Sequence, residues 1–63
     1  MDNIYNKAVE LIAREEEVSC VLLQRKLSIG YELAYDILEQ MEKDGYVSSF
    51  NEKTYKRKVL KAK

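Results

Sequence analysis

The chain has 63 residues and a formal net charge of zero, from 11 basic and 11 acidic side chains, which predicts one domain with a small core. It has no histidine and one cysteine, so it lacks the commonest general base and cannot form an internal disulfide or a zinc cluster. We therefore expect a single domain over residues 1–63 that is not an enzyme and uses no metal, cofactor or small-molecule substrate.

The first predicted element is an amphipathic helix over residues 3–14. Its apolar residues recur at the spacing of one helix face, namely Ile4, Ala8, Leu11 and Ile12. The side chain of Asp2 or Asn3 can cap the start of this helix. Three glutamates at positions 15–17 oppose the helix dipole, so we expect the helix to end there in an exposed loop.

A helix-turn-helix is predicted next. Ser19 is placed to cap a short helix from Cys20 to Lys26, and a turn follows at residues 28–30. A longer helix is expected from about Gly30 to Asp44, with its apolar stripe formed by Ala34, Ile37, Leu38 and Met41. The small Ala34 allows the two helices to approach closely. The second helix of such a pair usually enters the DNA major groove.

After Gly45 the periodicity changes from helical to alternating. Residues 46–49 and 54–60 are predicted strands, joined by a turn at 51–53, and Val18 can add a third short strand. In the last strand, Tyr55, Arg57 and Val59 share one side, while Lys56, Lys58 and Leu60 share the other. The order of elements predicts a mainly α winged helix-turn-helix, with three helices and a two- or three-stranded antiparallel sheet.

Charge is divided unevenly along the chain. Residues 1–47 contain five basic and ten acidic side chains, for a net of −5, whereas residues 48–63 contain six and one, for +5. The C-terminal segment is therefore the predicted electrostatic footprint for a polyanion, with a solvated basic tail as the alternative. At the end of the second helix, Arg25 and Lys26 can contact phosphates or complement the helix dipole.

The outward face of the third helix is acidic. Leu33 is expected to be partly exposed and Tyr35 exposed, beside Glu32, Asp36 and Glu39. This surface favours a second hypothesis, a protein-interaction module that binds a basic partner or mimics DNA.

Several other side chains are expected to have structural roles. The carboxylates of Glu39, Glu42 and Asp44 are interpreted as a solvated helix face. Cys20 is interpreted as a small buried hydrophobe, and Tyr31 and Tyr46 as packing residues, while the role of Tyr55 stays open.

Two segments carry a specific resemblance: LQRKLSIGY at residues 23–31 and ILEQMEKDGYV at residues 37–47. With YNKAVELI and RKVL, they make the chain similar to the gamma domain of FtsK/SpoIIIE-type DNA translocases of bacteria. The resemblance implies a winged helix that reads short, oriented, G-rich duplexes in chromosome segregation, with several copies side by side and a site-specific recombinase as partner. The chain has no GxxxxGK[ST] phosphate loop, so it is not expected to hydrolyse ATP by that route.

The chain departs from this family where bases would be read. The family typically has Asn-Arg after the Gly-Tyr pair and Arg three residues later, where this chain has Glu32, Leu33 and Asp36. Loss of these base-reading groups predicts weak or altered specificity. The candidate DNA-binding residues are Gln24, Arg25, Lys26, Ser28, Tyr31, Glu32, Tyr35, Lys53, Lys56, Arg57 and Lys58.

The remaining sequence features concern location. The longest apolar run, residues 21–23, is too short to span a bilayer, and the first residues lack the pattern of a secretory signal. Together with the single cysteine, this predicts a reducing, cytoplasmic compartment without membrane contact, and the resemblance implies a bacterial or phage context. Met1 and the absence of a linker favour a complete small protein.

Overall fold

Three helices and a small sheet form the protein in the computed structural model, which describes residues 2–60. The elements in chain order are α1 (Asp2–Ile12), β1 (Glu17–Val18), α2 (Cys20–Leu27), α3 (Tyr31–Lys43) and β2 (Arg57–Lys58). This order and the mainly helical content confirm the predicted winged-helix fold.

The first helix is shorter at its C-terminal end than predicted. It ends at Ile12, and the next residues form turns, in which the Glu15 backbone N–H donates to the Ile12 carbonyl at 2.9 Å. The three glutamates that follow are exposed, as expected for carboxylates at a helix C-terminus. Asn3 lies within the helix and does not precede it, and the predicted cap by the Asp2 side chain lies outside what the structure describes.

The helix-turn-helix forms as its local signals predict. Ser19 caps α2, because its Oγ accepts a hydrogen bond from the Leu22 backbone N–H at 3.1 Å. At the other end, Ser28 adopts the left-handed conformation, with φ 55°, and its N–H donates to the Gln24 carbonyl. Ala34 is fully buried, which permits the predicted close approach of α2 and α3.

The wing, defined here as residues 47–59, contains less regular pairing than predicted. β1 and β2 are antiparallel, with Val18 opposite Arg57, so the predicted third strand at Val18 is confirmed. The segment 46–49 pairs only through a bridge from Val47 to Val59, and Asn51 bridges Lys56 across a wider turn. The predicted strands 46–49 and 54–60 were therefore too long.

The core consists of nine buried apolar side chains in the described part of the chain. They are Ala8, Ile12, Val18, Leu23, Ala34, Ile37, Leu38, Met41 and Val47. Four of them come from α3 and confirm its predicted apolar stripe, so α3 is the central element on which α1, α2 and the wing pack. Among residues 2–60, no helix has the length and apolar character needed to cross a bilayer.

Candidate nucleic-acid interface

The C-terminal end of α2 presents two cations to solvent. Arg25 and Lys26 occupy its last turn and are exposed, while Gln24 is half-buried. Ser28 follows as an exposed cap. The positions of the two cations suit both predicted roles, contact with a phosphate and complementation of the helix dipole.

The first two turns of α3 carry two exposed aromatic rings. Tyr31, which is 59% exposed, stacks on Tyr35 with ring centroids 6.1 Å apart and an interplanar angle of 22°. Glu32 and Asp36 are exposed beside them, whereas Leu33 is half-buried against the core. Tyr31 was predicted to be a packing residue, but its ring is mostly solvent-exposed. The charge of Glu39 raises the pKa of Tyr35.

Arg57 lies inside the protein and not on the wing surface. It is 3% exposed, and its Nη2 donates to Glu39 Oε2 at 2.9 Å while Nη1 donates to Glu42 Oε1 at 2.8 Å. Nη1 also donates to the Ser48 carbonyl at 3.3 Å. The prediction of Arg57 as a DNA contact is corrected, because a guanidinium engaged this way has no surface left for a phosphate.

The carboxylates of α3 are also more occupied than predicted. Glu39 and Glu42 bind Arg57 and so anchor the wing to α3, while their side chains stay 43% and 39% exposed. At the end of α3, Asp44 accepts hydrogen bonds from the Tyr5 hydroxyl and from Gln40 Nε2. Burial and the Asp44 carboxylate raise the pKa of Tyr5. The three carboxylates thus lie on a solvated helix face, as predicted, and each also accepts a hydrogen bond from another side chain.

Two of the remaining predicted packing residues lie where expected. Tyr46 is half-buried and packs against the core. Cys20 is also half-buried against the core, and burial raises the pKa of its thiol.

The wing lysines remain on the surface. Lys53, Lys56 and Lys58 are exposed, and Lys56 Nζ lies 3.7 Å from Glu17 Oε1 in a solvent-exposed ion pair. An exposed pair of this kind contributes little to stability, so Lys56 can exchange its carboxylate for another anion. The wing and the last turn of α2 thus both present exposed cations.

The contacts of Arg57 make the free energy of unfolding depend on pH in the acidic range. Hydrogen bonds from Arg57 and Ser49 lower the pKa of Glu42 from its ordinary value of 4.5. A carboxyl whose pKa is lower in the folded state adds stability that is present above pH 4.5 and lost as the pH falls through the folded-state pKa. We expect Glu42→Gln to flatten this acid dependence of the unfolding free energy.

The measurement is urea unfolding at a series of pH values from neutral to acidic, followed by circular dichroism. Glu10→Gln is the matched control, because it removes an exposed carboxylate of α1. If E42Q and E10Q changed the pH dependence of the unfolding free energy equally, the Arg57 contacts would not be its cause.

Residues 2–60 contain three helices, of which α2 and α3 form a helix-turn-helix, and a wing that Arg57 holds against α3. This arrangement defines a winged-helix domain. The chain belongs to the FtsK gamma domain family, whose profile matches residues 1–62. It is 47% identical over 57 residues to the DNA translocase FtsK of Rickettsia prowazekii, covering 90% of this chain and 8% of that protein. The corresponding protein of Caulobacter vibrioides is 37% identical over 59 residues, covering 94% of this chain and 7% of that protein.

These matches confirm the resemblance found in the sequence. The DNA translocase FtsK of Rickettsia typhi adds a third example, 46% identical over 57 residues, again with 90% of this chain and 8% of the relative. The chain therefore spans less than a tenth of the length of these relatives.

Proposed function

We propose that this winged helix binds duplex DNA with weak or altered sequence specificity, through its wing lysines and the C-terminal end of α2. The observation that carries the proposal is the exposure of cations on the wing and in the last turn of α2, within a domain of the FtsK gamma family. Phosphate contacts of this kind fix the position of a protein on DNA but do not read sequence. The proposed role is binding without catalysis, in the cytoplasm.

The chemistry of α3 supports the weak specificity. Glu32 and Asp36 are exposed on its outward face, where they repel phosphates and can accept hydrogen bonds only from donors such as the cytosine N4 group. Arg57 cannot offset these negative charges, because its guanidinium is ion-paired with Glu39 and Glu42. Affinity in this proposal therefore comes from the backbone and depends strongly on salt.

The test is a salt titration of binding to a random fluorescent duplex, read by anisotropy. We expect Lys53→Ala with Lys58→Ala to weaken binding to every sequence and to reduce the log–log salt slope by roughly 2, about one for each lost phosphate contact. Both lysines are exposed, and alanine retains the backbone N–H groups that hold the turn. The substitutions leave Arg57 in place, so they change charge without releasing the wing.

The matched control is Lys7→Ala with Arg14→Ala, which removes the same charge from exposed positions on and after α1. This control is expected to bind nearly as the unaltered protein does. The proposal fails if the unaltered domain does not bind duplex at low salt. The placement of the footprint is refuted if the control and the wing variant lose affinity equally.

A second candidate function is binding to a basic protein surface. The observation that favours it is the exposed Tyr31–Tyr35 stack beside Glu32 and Asp36. Tyrosine contributes a large contact area at low entropic cost, and the carboxylates would complement a basic partner. Two other residues were predicted to belong to this surface. Leu33 is half-buried against the core and Glu39 is paired with Arg57, so both would contribute less to binding a partner.

A further inference from the structure

The tip of the wing, residues 50–56, presents two large rings to solvent. Tyr55 is 70% exposed and Phe50 is 47% exposed, and their ring centroids lie 5.9 Å apart at an interplanar angle of 57°. Among the large hydrophobic side chains that the structure describes, Tyr55 is the most exposed. The two rings contact each other but contribute no buried side chain to the core, so packing does not explain their presence.

The backbone at Tyr55 is strained. Its φ is 59°, in the left-handed region that glycine and asparagine adopt readily and that bulky residues rarely occupy. The turn enforces this conformation, because the Tyr55 N–H donates to the Asn51 carbonyl at 2.7 Å and the Lys53 N–H donates to Asn51 Oδ1 at 2.8 Å. Strain of this kind at an exposed aromatic residue points to a role in binding.

Exposed cations share the turn and strand that carry these rings. Lys53, Lys56 and Lys58 are exposed, and Lys56 forms a solvent-exposed ion pair with Glu17. Aromatic rings beside lysines form a typical surface for single-stranded nucleic acids, in which bases stack on the rings and lysines contact the phosphates. A base inside a duplex has both faces covered by its neighbours, so stacking on these rings favours an unpaired base.

We propose that the wing tip binds the unpaired bases of a single-stranded nucleic acid, with one base stacked on Tyr55 and Phe50 completing the aromatic surface. Lys53 and Lys58 contact the flanking phosphates. This activity goes beyond duplex binding. The proposed stacking also explains why tyrosine occupies this left-handed position, which asparagine would adopt with less strain.

The test compares three fluorescent probes by anisotropy: oligo-dT of about 15 nucleotides, an abasic strand of the same length, and a duplex. Tyr55→Asn removes the ring while asparagine tolerates the left-handed backbone. We expect Y55N to weaken oligo-dT binding about 5- to 150-fold, as for the loss of one stacked base, and to leave abasic-strand and duplex binding unchanged. Tyr55→Phe, which keeps the ring, should bind oligo-dT as the unaltered protein does.

Val21→Asn is the matched control, because it removes a 59%-exposed apolar side chain from α2. Phe50→Ala is a second variant that does not alter the backbone at Tyr55, and it should also weaken oligo-dT binding selectively. Unchanged oligo-dT affinity in a folded Y55N or F50A would overturn the proposal, as would an equal loss in V21N. Oligo-U of the same length then distinguishes RNA from DNA. If the unaltered protein binds oligo-dT but does not bind duplex, the proposed function is refuted and this inference stands.

Discussion

Replacing Arg57 with alanine is expected to destabilise the domain by about 2–3 kcal/mol. The substitution removes a 3%-exposed guanidinium that joins the wing to two carboxylates of α3. Breaking a fully buried ion pair costs about 3–5 kcal/mol, and the cost here is smaller because water can still reach Glu39 and Glu42. A domain of this size has roughly 3–9 kcal/mol of total stability, so the loss is a large share of it. Urea unfolding followed by circular dichroism measures it.

The neighbouring Lys58→Ala is the control, since it removes the same charge from an exposed position. It should change stability by less than about 0.5 kcal/mol. A further variant carries Arg57→Met, Glu39→Gln and Glu42→Gln, so that no charge loses its partner, and it should recover most of the stability. If R57A were as stable as K58A, Arg57 would not hold the wing in place.

Changing Glu32 to Asn and Asp36 to Arg is expected to raise duplex affinity at least about tenfold at low salt. The pair alters the charge of the outward face of α3 by +3, one from Glu32 and two from Asp36. It also restores residue types that can hydrogen-bond base edges, so a preference for G-rich duplexes is expected through arginine–guanine contacts. Leu33 is left unchanged, because it is half-buried against the core and an arginine there would disturb packing. Anisotropy with G-rich and random duplexes measures both effects.

Glu10→Gln with Glu15→Lys is the matched control, because it adds the same +3 charge at exposed positions on and after α1. A gain of similar size in this control would mean that net charge alone raises affinity. If the α3 variant folds and gains nothing, α3 does not face DNA. The basic protein partner then becomes the favoured function, and the same variant should no longer bind it.

The local parts of this structure could be predicted from the sequence. Ser19 caps α2 as expected, and the stripe of α3 from Ala34 to Met41 is buried, because both depend on residues within one or two turns. The alternation after Gly45 also indicated that Arg57 shares a side with Val59, away from Lys56 and Lys58. That register was the available signal for a buried arginine.

The long-range contacts could not be predicted. The pairing of Arg57 with Glu39 and Glu42 and the hydrogen bond from Tyr5 to Asp44 join residues far apart in the chain, so no periodicity marks them. Charged residues on the outer face of a helix are usually solvated, so nothing in the sequence indicated that the carboxylates of α3 also hold Arg57. Phe50 was not singled out, because a lone aromatic residue in a turn has no pattern around it.

The pairing of β1 with β2 also bears on how the domain folds and opens. Val18 lies opposite Arg57, so this pairing closes most of the chain into a loop, whereas α2 and α3 meet across a short turn. Local contacts form at the lowest entropic cost, and we expect the helices to assemble first and the wing to dock last. The wing is then the segment that opens most readily without global unfolding. A ligand held at its lysines would favour the docked form, so occupancy and wing closure are thermodynamically linked.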